Sequence, residues 1–221
     1  MFRSKTRDII IPQSEHAKLS GMIAALWGND EFERPDFNFD SFVAGVALHD
    51  EGHGYFDMDD IGGMDPGTEL ASMRRLVDYR LDDPIADTIA NFHILRLLHF
   101  DEAWSHLAEE CEAQISEGMK KTGISRNSYL WVDRITRLCD SISFNFCFGE
   151  PVKTENPVFP RQNRADTLMV SYDIDSQGRI VIDPWPLKVS SYEGYILGYE
   201  AAGYPDELKP VLVYYTLSKK V

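Results

Sequence analysis

Hydrophobic residues recur every three or four positions through most of the first 150 residues, which is the spacing of amphipathic helices. Polar, glycine-rich or proline-containing breaks separate these stretches, and several begin at a residue type that caps helices. Gly149 follows the last stretch, where glycine commonly ends a helix. The pattern predicts six helices: Ser14 to Leu26, Asp40 to Asp50, Thr68 to Val77, Asp83 to Leu97, Asp101 to Lys121 and Arg126 to Phe148.

The period changes after Pro151 from helical to alternating. Leu168–Ile174 and Ile180–Ile182 alternate around a turn at 175–178, which predicts a β-hairpin. Two later segments, 195–199 and 211–217, are candidate further strands, and Ile9–Ile11 before Pro12 is predicted to be a short extended lead-in. We therefore expect a mainly α fold, with a helical domain over 1–150 and a small antiparallel β appendage over 151–221 packed on it as one compact unit.

Composition and charge narrow the class of protein. The 221 residues are 43% hydrophobic, enough to bury one substantial core. A formal net charge of −14 repels phosphate backbones, so we expect no nucleic-acid polymer as partner, and it attracts cations instead. The chain has neither a signal-peptide core nor a membrane-spanning apolar run, which predicts a cytoplasmic protein without a membrane partner. Homo-oligomerisation stays open.

The adjacent pair His49-Asp50 is the most informative feature for chemistry. Neighbouring residues on a helix point about 100° apart, so one ion takes both only at a helix end, with other helices supplying further ligands. His16 lies on the buried stripe of the first predicted helix, and Asp140 lies on the apolar last one. Imidazole and carboxylate together suit first-row divalent ions and leave positions open for water.

Four ordered blocks of sequence resemble the HD superfamily of metal-dependent phosphohydrolases, and most closely a bacterial family called domain of unknown function 3891. These blocks are Ile11–His16, His49–Gly52, Arg137–Ser143 and Asp183–Pro186. The resemblance implies an HD-type helical bundle in which His16, His49, Asp50 and Asp140 bind a divalent ion: Mn, Fe, Co, Ni, Zn or Mg. It implies no particular substrate.

Three further residues are candidates beside these ligands. His53 stands where the family often has an aromatic residue; it is interpreted as a second-metal ligand or a proton donor, with a surface histidine as the alternative. His93 is the other candidate ligand of a second ion, by analogy with two-metal members of the superfamily. Glu51 is a candidate for positioning the attacking water, the alternative being a solvent-exposed side chain. Asp50, His53 and Glu51 thus form the predicted catalytic set.

Cations near this constellation are few in so acidic a chain. Arg96, one turn after His93, and Arg137, one turn before Asp140, are the candidate substrate-binding residues, because a guanidinium binds phosphate through two parallel hydrogen bonds. The alternative for each arginine is a salt bridge to a carboxylate such as Asp133 or Asp87.

Together these features predict a metal-dependent hydrolase. A water activated by the metal would cleave a phosphomonoester or phosphodiester of a small anionic metabolite or nucleotide. Two alternatives stay open: an HD-type di-iron oxygenase, which would need a second ion, and a non-catalytic HD domain that binds a metal or another ligand.

Overall fold

The computed structural model describes residues 1–54, 59–61, 63–162 and 166–220. Within them lie six α-helices: α1 (Gln13–Leu26), α2 (Phe39–Ala47), α3 (Pro66–Asp78), α4 (Pro84–Leu98), α5 (Ser105–Thr122) and α6 (Arg126–Phe148). They also contain seven strands: β1 (Phe2–Arg3), β2 (Ile9–Ile11), β3 (Val152–Val158), β4 (Leu168–Ile174), β5 (Arg179–Asp183), β6 (Ser191–Glu200) and β7 (Pro210–Lys219).

Helices α4 and α6 begin where the sequence predicts, whereas α1 begins one residue and α3 two residues earlier, and α5 begins four residues later. Helix α2 ends at Ala47, three residues before its predicted end at Asp50. The side chains of Asp83 and Ser125 accept hydrogen bonds from backbone N–H groups in the first turns of α4 and α6. Gly149 ends α6 with a left-handed φ of 77°. The second helix begins slightly earlier than predicted, because Asn38, not Asp40, supplies its cap. Local sequence chemistry therefore set most of the helix boundaries.

The strands form one sheet in the order β1-β2-β6-β7-β5-β4-β3. The predicted hairpin is confirmed, since β4 pairs antiparallel with β5. The segments predicted around 195–199 and 211–217 lie in β6 and β7, which also pair antiparallel. Strand β5 pairs parallel with β7, and β2 pairs antiparallel with β6, with Ile9 opposite Glu200.

The prediction of a mainly α, HD-type bundle with a small antiparallel C-terminal appendage is wrong. The described residues are 46% helical and 22% strand, and the sheet is a major part of the fold. Three of the seven strands were missed as strands: β1, β2 and β3. Two of them are very short, and β3 mixes lysine, glutamate and proline, so hydrophobic alternation gave no signal. Long-range pairing, not local pattern, makes them strands.

Close helix packing positions the polar residues of the interior. Helix α1 packs against α2 and α6, while α4 packs against α2, α5 and α6. Gly21 of α1 lies so close to Ala47 of α2 that a Cβ at position 21 would clash. This contact brings the face of α1 that carries His16 towards the end of α2. Within the described residues, no helix is long and apolar enough to cross a membrane.

Candidate metal centre

Four helical segments deliver polar side chains to one point in the core. His16 lies in the first turn of α1, and His49-Asp50 follow directly after α2. His93 lies on α4, and Asp140 lies on α6. The two carboxylates and three imidazoles are buried except for Asp140, whose side chain is 19% exposed. Buried charge of this density needs a compensating partner or a function.

The side-chain atoms approach each other at ligand-like spacing. His16 Nε2 lies 3.1 Å from Asp140 Oδ1 and 3.4 Å from Asp50 Oδ2. His49 Nε2 lies 3.5 Å from each of those two oxygens and 3.3 Å from His16 Nε2. Ligands about 2.1 Å from one ion are separated by roughly 3.0 Å at octahedral right angles and roughly 3.4 Å at tetrahedral angles. These five distances are thus in the range expected between ligands of a common cation.

A site that binds a metal ion is expected to contain buried polar atoms that have no hydrogen-bond partner in the protein itself. Among the described residues, Asp50 Oδ1 and His93 Nε2 are buried and have no hydrogen-bond partner, although they lie 3.3 Å apart. Two groups of residues satisfy the spacing for a metal ion, His16 with His49 and Asp140, and His49 with Asp50 and His93. These groups share His49, so they form one cluster that could hold a metal ion.

Hydrogen bonds behind the cluster orient both imidazoles of the first group. His49 Nδ1 lies 2.7 Å from the carbonyl oxygen of Val46, so its hydrogen is on Nδ1 and its Nε2 lone pair faces the cluster. His16 Nδ1 lies 2.7 Å from Ser143 Oγ, which is also 2.6 Å from Ser20 Oγ. The Ser143 hydroxyl can accept from His16 while it donates to the Asp140 carbonyl oxygen, 3.0 Å away.

His93 has the opposite arrangement. The guanidinium of Arg96 can only donate, and its Nη2 lies 3.0 Å from His93 Nδ1. Neutral His93 therefore carries its hydrogen on Nε2, the nitrogen that faces Asp50 Oδ1. This tautomer makes His93 a hydrogen-bond donor to the site. Its predicted role as a ligand of a second ion would require Arg96 to move.

Electrostatics keeps the carboxylates ionised. Burial alone would raise the pKa of Asp50 and Asp140, but the neighbouring histidines outweigh it and lower both pKa values well below the usual range. Burial likewise opposes a charge on His16, yet hydrogen bonds to Asp140 and Asp50 raise its pKa well above normal. Burial and nearby His49 lower the pKa of His93 to about 4. The ionised carboxylates of Asp50 and Asp140 therefore require adjacent positive charge, which protonated histidines or a metal cation can supply.

The remaining predicted catalytic residues lie beside the cluster. His53 is buried, so the surface alternative is wrong for it, and its Nδ1 lies 2.9 Å from Ser72 Oγ. It lies outside both ion-binding groups found in the described part of the chain. Glu51 is half-buried in a 3₁₀ turn, Glu51–His53, between the ligands and Gly54.

Two cavities meet at Asp140. The inner cavity, of about 200 Å³, is lined by the cluster and by mostly apolar neighbours: Gln13, His53, Ile61, Met64, Glu69, Met73, Leu97 and Phe144. The outer cavity, of about 500 Å³, shares Leu97, Asp140 and Phe144 with it and adds Arg96, His99, Phe100, Arg137, Ser141 and Asn156. A reactant held at the cluster therefore has space on two sides.

The two predicted substrate-binding arginines differ in availability. Arg96 pairs with Asp133, as its alternative interpretation held, and Nη2 also lies 3.7 Å from Asp140 Oδ2. Arg137 is exposed in the outer cavity. Neither carboxylate proposed as its salt-bridge partner is left for it, because Asp133 pairs with Arg96 and Asp87 pairs with Arg80. Arg137 is the more accessible cation.

Sequence reasoning missed the supporting residues. Ser143, behind His16, ends one of the four blocks of resemblance but was given no role. No recognised pattern included Ser20, which also lies behind His16, Ser72 behind His53, or Glu69 in the inner cavity. The one available signal was Ser143, three residues after Asp140 on an apolar helix, where a polar side chain needs a partner.

Comparison with known proteins gives a family and no activity. The family model described as "Protein of unknown function (DUF3891)" matches residues 1–197. No curated protein and no solved structure is significantly similar to the chain.

Proposed function

The chain belongs to the DUF3891 family, and we propose that it is a metal-dependent hydrolase of phosphate esters. The observation that carries the proposal is that the histidine nitrogens of His16 and His49 lie 3.1 to 3.5 Å from one another and from carboxylate oxygens of Asp50 and Asp140 in a buried site. Phosphate esters are chosen because the order of these ligands along the chain resembles that of HD phosphohydrolases. The likeness concerns the ligands and supports the reaction, not the fold.

Those four residues would hold one divalent ion, and their mixed nitrogen and oxygen donors suit Mn, Fe, Co, Ni or Zn better than Mg. Such an ion lowers the pKa of a bound water and polarises a phosphoryl oxygen. The ion would also supply the positive charge that the two buried carboxylates require.

The protein's own groups have separate tasks in this proposal. Asp50 Oδ1, which is buried 3.3 Å from His93 Nε2, accepts a proton from the attacking water. His93 donates its Nε2 hydrogen to an oxygen of the substrate, and Arg96 fixes the tautomer that makes this possible. Arg137 binds the part of the substrate that extends into the outer cavity. His53 and Glu51 stay candidates for assisting the proton transfers.

The alternatives have less support from the same geometry. A di-iron oxygenase needs two ions, whereas the two ion-binding groups of the described residues share His49. A non-catalytic domain that binds a ligand other than a metal would not need His16 and Asp140 to point at His49, as they do. One that only holds a metal would not need a cavity beside the cluster. Two equivalents of tightly bound iron would favour the oxygenase.

The test is metal analysis combined with a panel of phosphate esters. Purified protein should bind about one equivalent of Mn²⁺, Co²⁺ or Ni²⁺ and hydrolyse at least one ester. His49→Ala should lose both properties, while His106→Ala, a matched change at an exposed histidine on α5, should keep both. Binding of one equivalent without turnover of any ester, and without an effect of His49→Ala, would refute the proposal.

A further inference from the structure

The described residues that line the inner cavity include no lysine or arginine that could balance a doubly charged substrate. Its lining, apart from the cluster, is chiefly Ile61, Met64, Met73, Leu97 and Phe144. The one further charged residue in that lining is Glu69, an acid. Residues 55–58 and 62, which the structure does not describe, include neither lysine nor arginine. The N-terminal ammonium group and Arg75 act on His53 from outside this lining. The described lining itself therefore offers a bound substrate no positive charge besides that of the ion.

The charges at the cluster also disfavour a doubly charged substrate. One divalent ion neutralises the carboxylates of Asp50 and Asp140, and the guanidinium of nearby Arg96 is paired with Asp133. Glu69 then leaves the inner cavity negative. A phosphomonoester carries two negative charges at neutral pH, whereas a phosphodiester carries one. The negative charge of the inner cavity repels a dianionic phosphomonoester more strongly than a monoanionic phosphodiester, and the repulsion is large because the site is partly shielded from water.

The shape of the site also distinguishes the two kinds of ester. Asp140 lines both cavities, so a phosphorus atom held at the cluster has one cavity on each side. The inner cavity of about 200 Å³ exceeds the approximately 150 Å³ that holds benzene in an engineered protein core. The outer cavity offers Arg137, Ser141 and Asn156 as polar contacts. A monoester has one organic group and fills one cavity, while a diester has two and fills both.

We infer, on the basis of the proposed function, that the substrate is a phosphodiester with an apolar group in the inner cavity and a polar or anionic group beside Arg137. Water adds to phosphorus through its oxygen, the bond from phosphorus to one ester oxygen breaks, and that oxygen takes up a proton and leaves as an alcohol. Of the two protons of the water, one is thus balanced by the alcohol and the other passes to solvent. The product is a phosphomonoester dianion, and the same charge balance favours its release.

Binding of two ligands that cannot be hydrolysed tests this without catalysis. Diphenylphosphinate has one negative charge and two rings, whereas phenylphosphonate has mainly two charges and one ring. Calorimetry with the Mn²⁺-loaded protein should show the phosphinate binding at least about tenfold more tightly. Glu69→Gln should reduce that ratio by strengthening phosphonate binding, and Glu31→Gln, the same change at an exposed loop residue that lines neither cavity, should not.

Turnover provides the second measurement. Bis(4-nitrophenyl) phosphate should be cleaved with a higher kcat/KM than 4-nitrophenyl phosphate. Equal or tighter phosphonate binding, binding of neither ligand, an unchanged ratio in Glu69→Gln, or a preference for the monoester would each overturn the inference. A metal-loaded enzyme that prefers monoesters would leave the proposed function standing, whereas loss of metal binding or of all turnover would refute the proposed function itself.

Discussion

Ser143 offers a sharp test of how the core orients His16. The Ser143→Ala substitution removes the hydroxyl that lies 2.7 Å from His16 Nδ1 and that also contacts Ser20 Oγ. Without it, the hydrogen of His16 is no longer held on Nδ1, and Nε2 is no longer reserved for an ion. We expect the fold to persist, because the change removes a single oxygen atom from the helix interior.

The magnitude follows from two contributions. Loss of a hydrogen bond behind a metal-binding histidine lowers metal affinity about 10- to 100-fold, or about 1.4 to 2.8 kcal/mol. Separately, the buried Nδ1–H group left without an acceptor costs about 1 to 3 kcal/mol of stability. For a chain of this size, each kcal/mol corresponds to a Tm change of about 2 to 4 °C. The variant should therefore melt a few degrees lower even without metal.

Isothermal titration with Mn²⁺ and thermal unfolding in chelator measure the two effects independently. Ser116→Ala is the matched control, since Ser116 Oγ donates to a backbone carbonyl oxygen within α5. It should leave metal affinity unchanged. A folded Ser143→Ala protein whose Mn²⁺ affinity stays within twofold of the native value would refute the argument that this hydroxyl fixes the tautomer of His16.

Three other outcomes follow from the structure. Gly118→Ala should lower the free energy of unfolding in urea by about 1 to 3 kcal/mol, because the new Cβ would clash with the Thr88 side chain, and Thr88→Ala in the same chain should recover part of the loss. Arg80→Ala should cost about 1 to 3 kcal/mol in the same assay, since it leaves the buried Asp87 carboxylate without its cation and with only the hydrogen bonds from Leu81 N–H and Asn91 Nδ2 among the described residues. Chelator should lower the Tm of metal-loaded protein, because an ion at 100 times its Kd stabilises by about 2.7 kcal/mol, whereas His49→Ala should show no chelator effect.

For each of these three predictions, one result would contradict the reasoning. An unchanged midpoint for Gly118→Ala would mean that α4 and α5 separate without cost. An unchanged stability for Arg80→Ala would mean that water satisfies Asp87 as well as the guanidinium does. A Tm insensitive to chelator in protein shown to contain metal would mean that the ion is bound outside the core.

Local chemistry in the sequence was enough to predict the helices. The caps at Asp83 and Ser125 and the terminating Gly149 act within a single turn, so their effects are visible in a few neighbouring residues. The hairpin around residues 175–178 could be predicted for the same reason. The residues that meet at the cluster could also be proposed, because buried histidine and aspartate on apolar helices need partners that only each other or an ion can provide.

Only the tertiary structure decided the sheet and the surroundings of the cluster. Strand β2 depends on β6, nearly 200 residues later, and the parallel pairing of β5 with β7 has no signature within either segment. Likewise, the pairing of Arg96 with Asp133 left Arg137 as the accessible cation and fixed the tautomer of His93. These pairings are decided by competition among residues that are distant in the sequence. The periodicity of the sequence indicates which faces are buried, but it does not indicate which groups meet there.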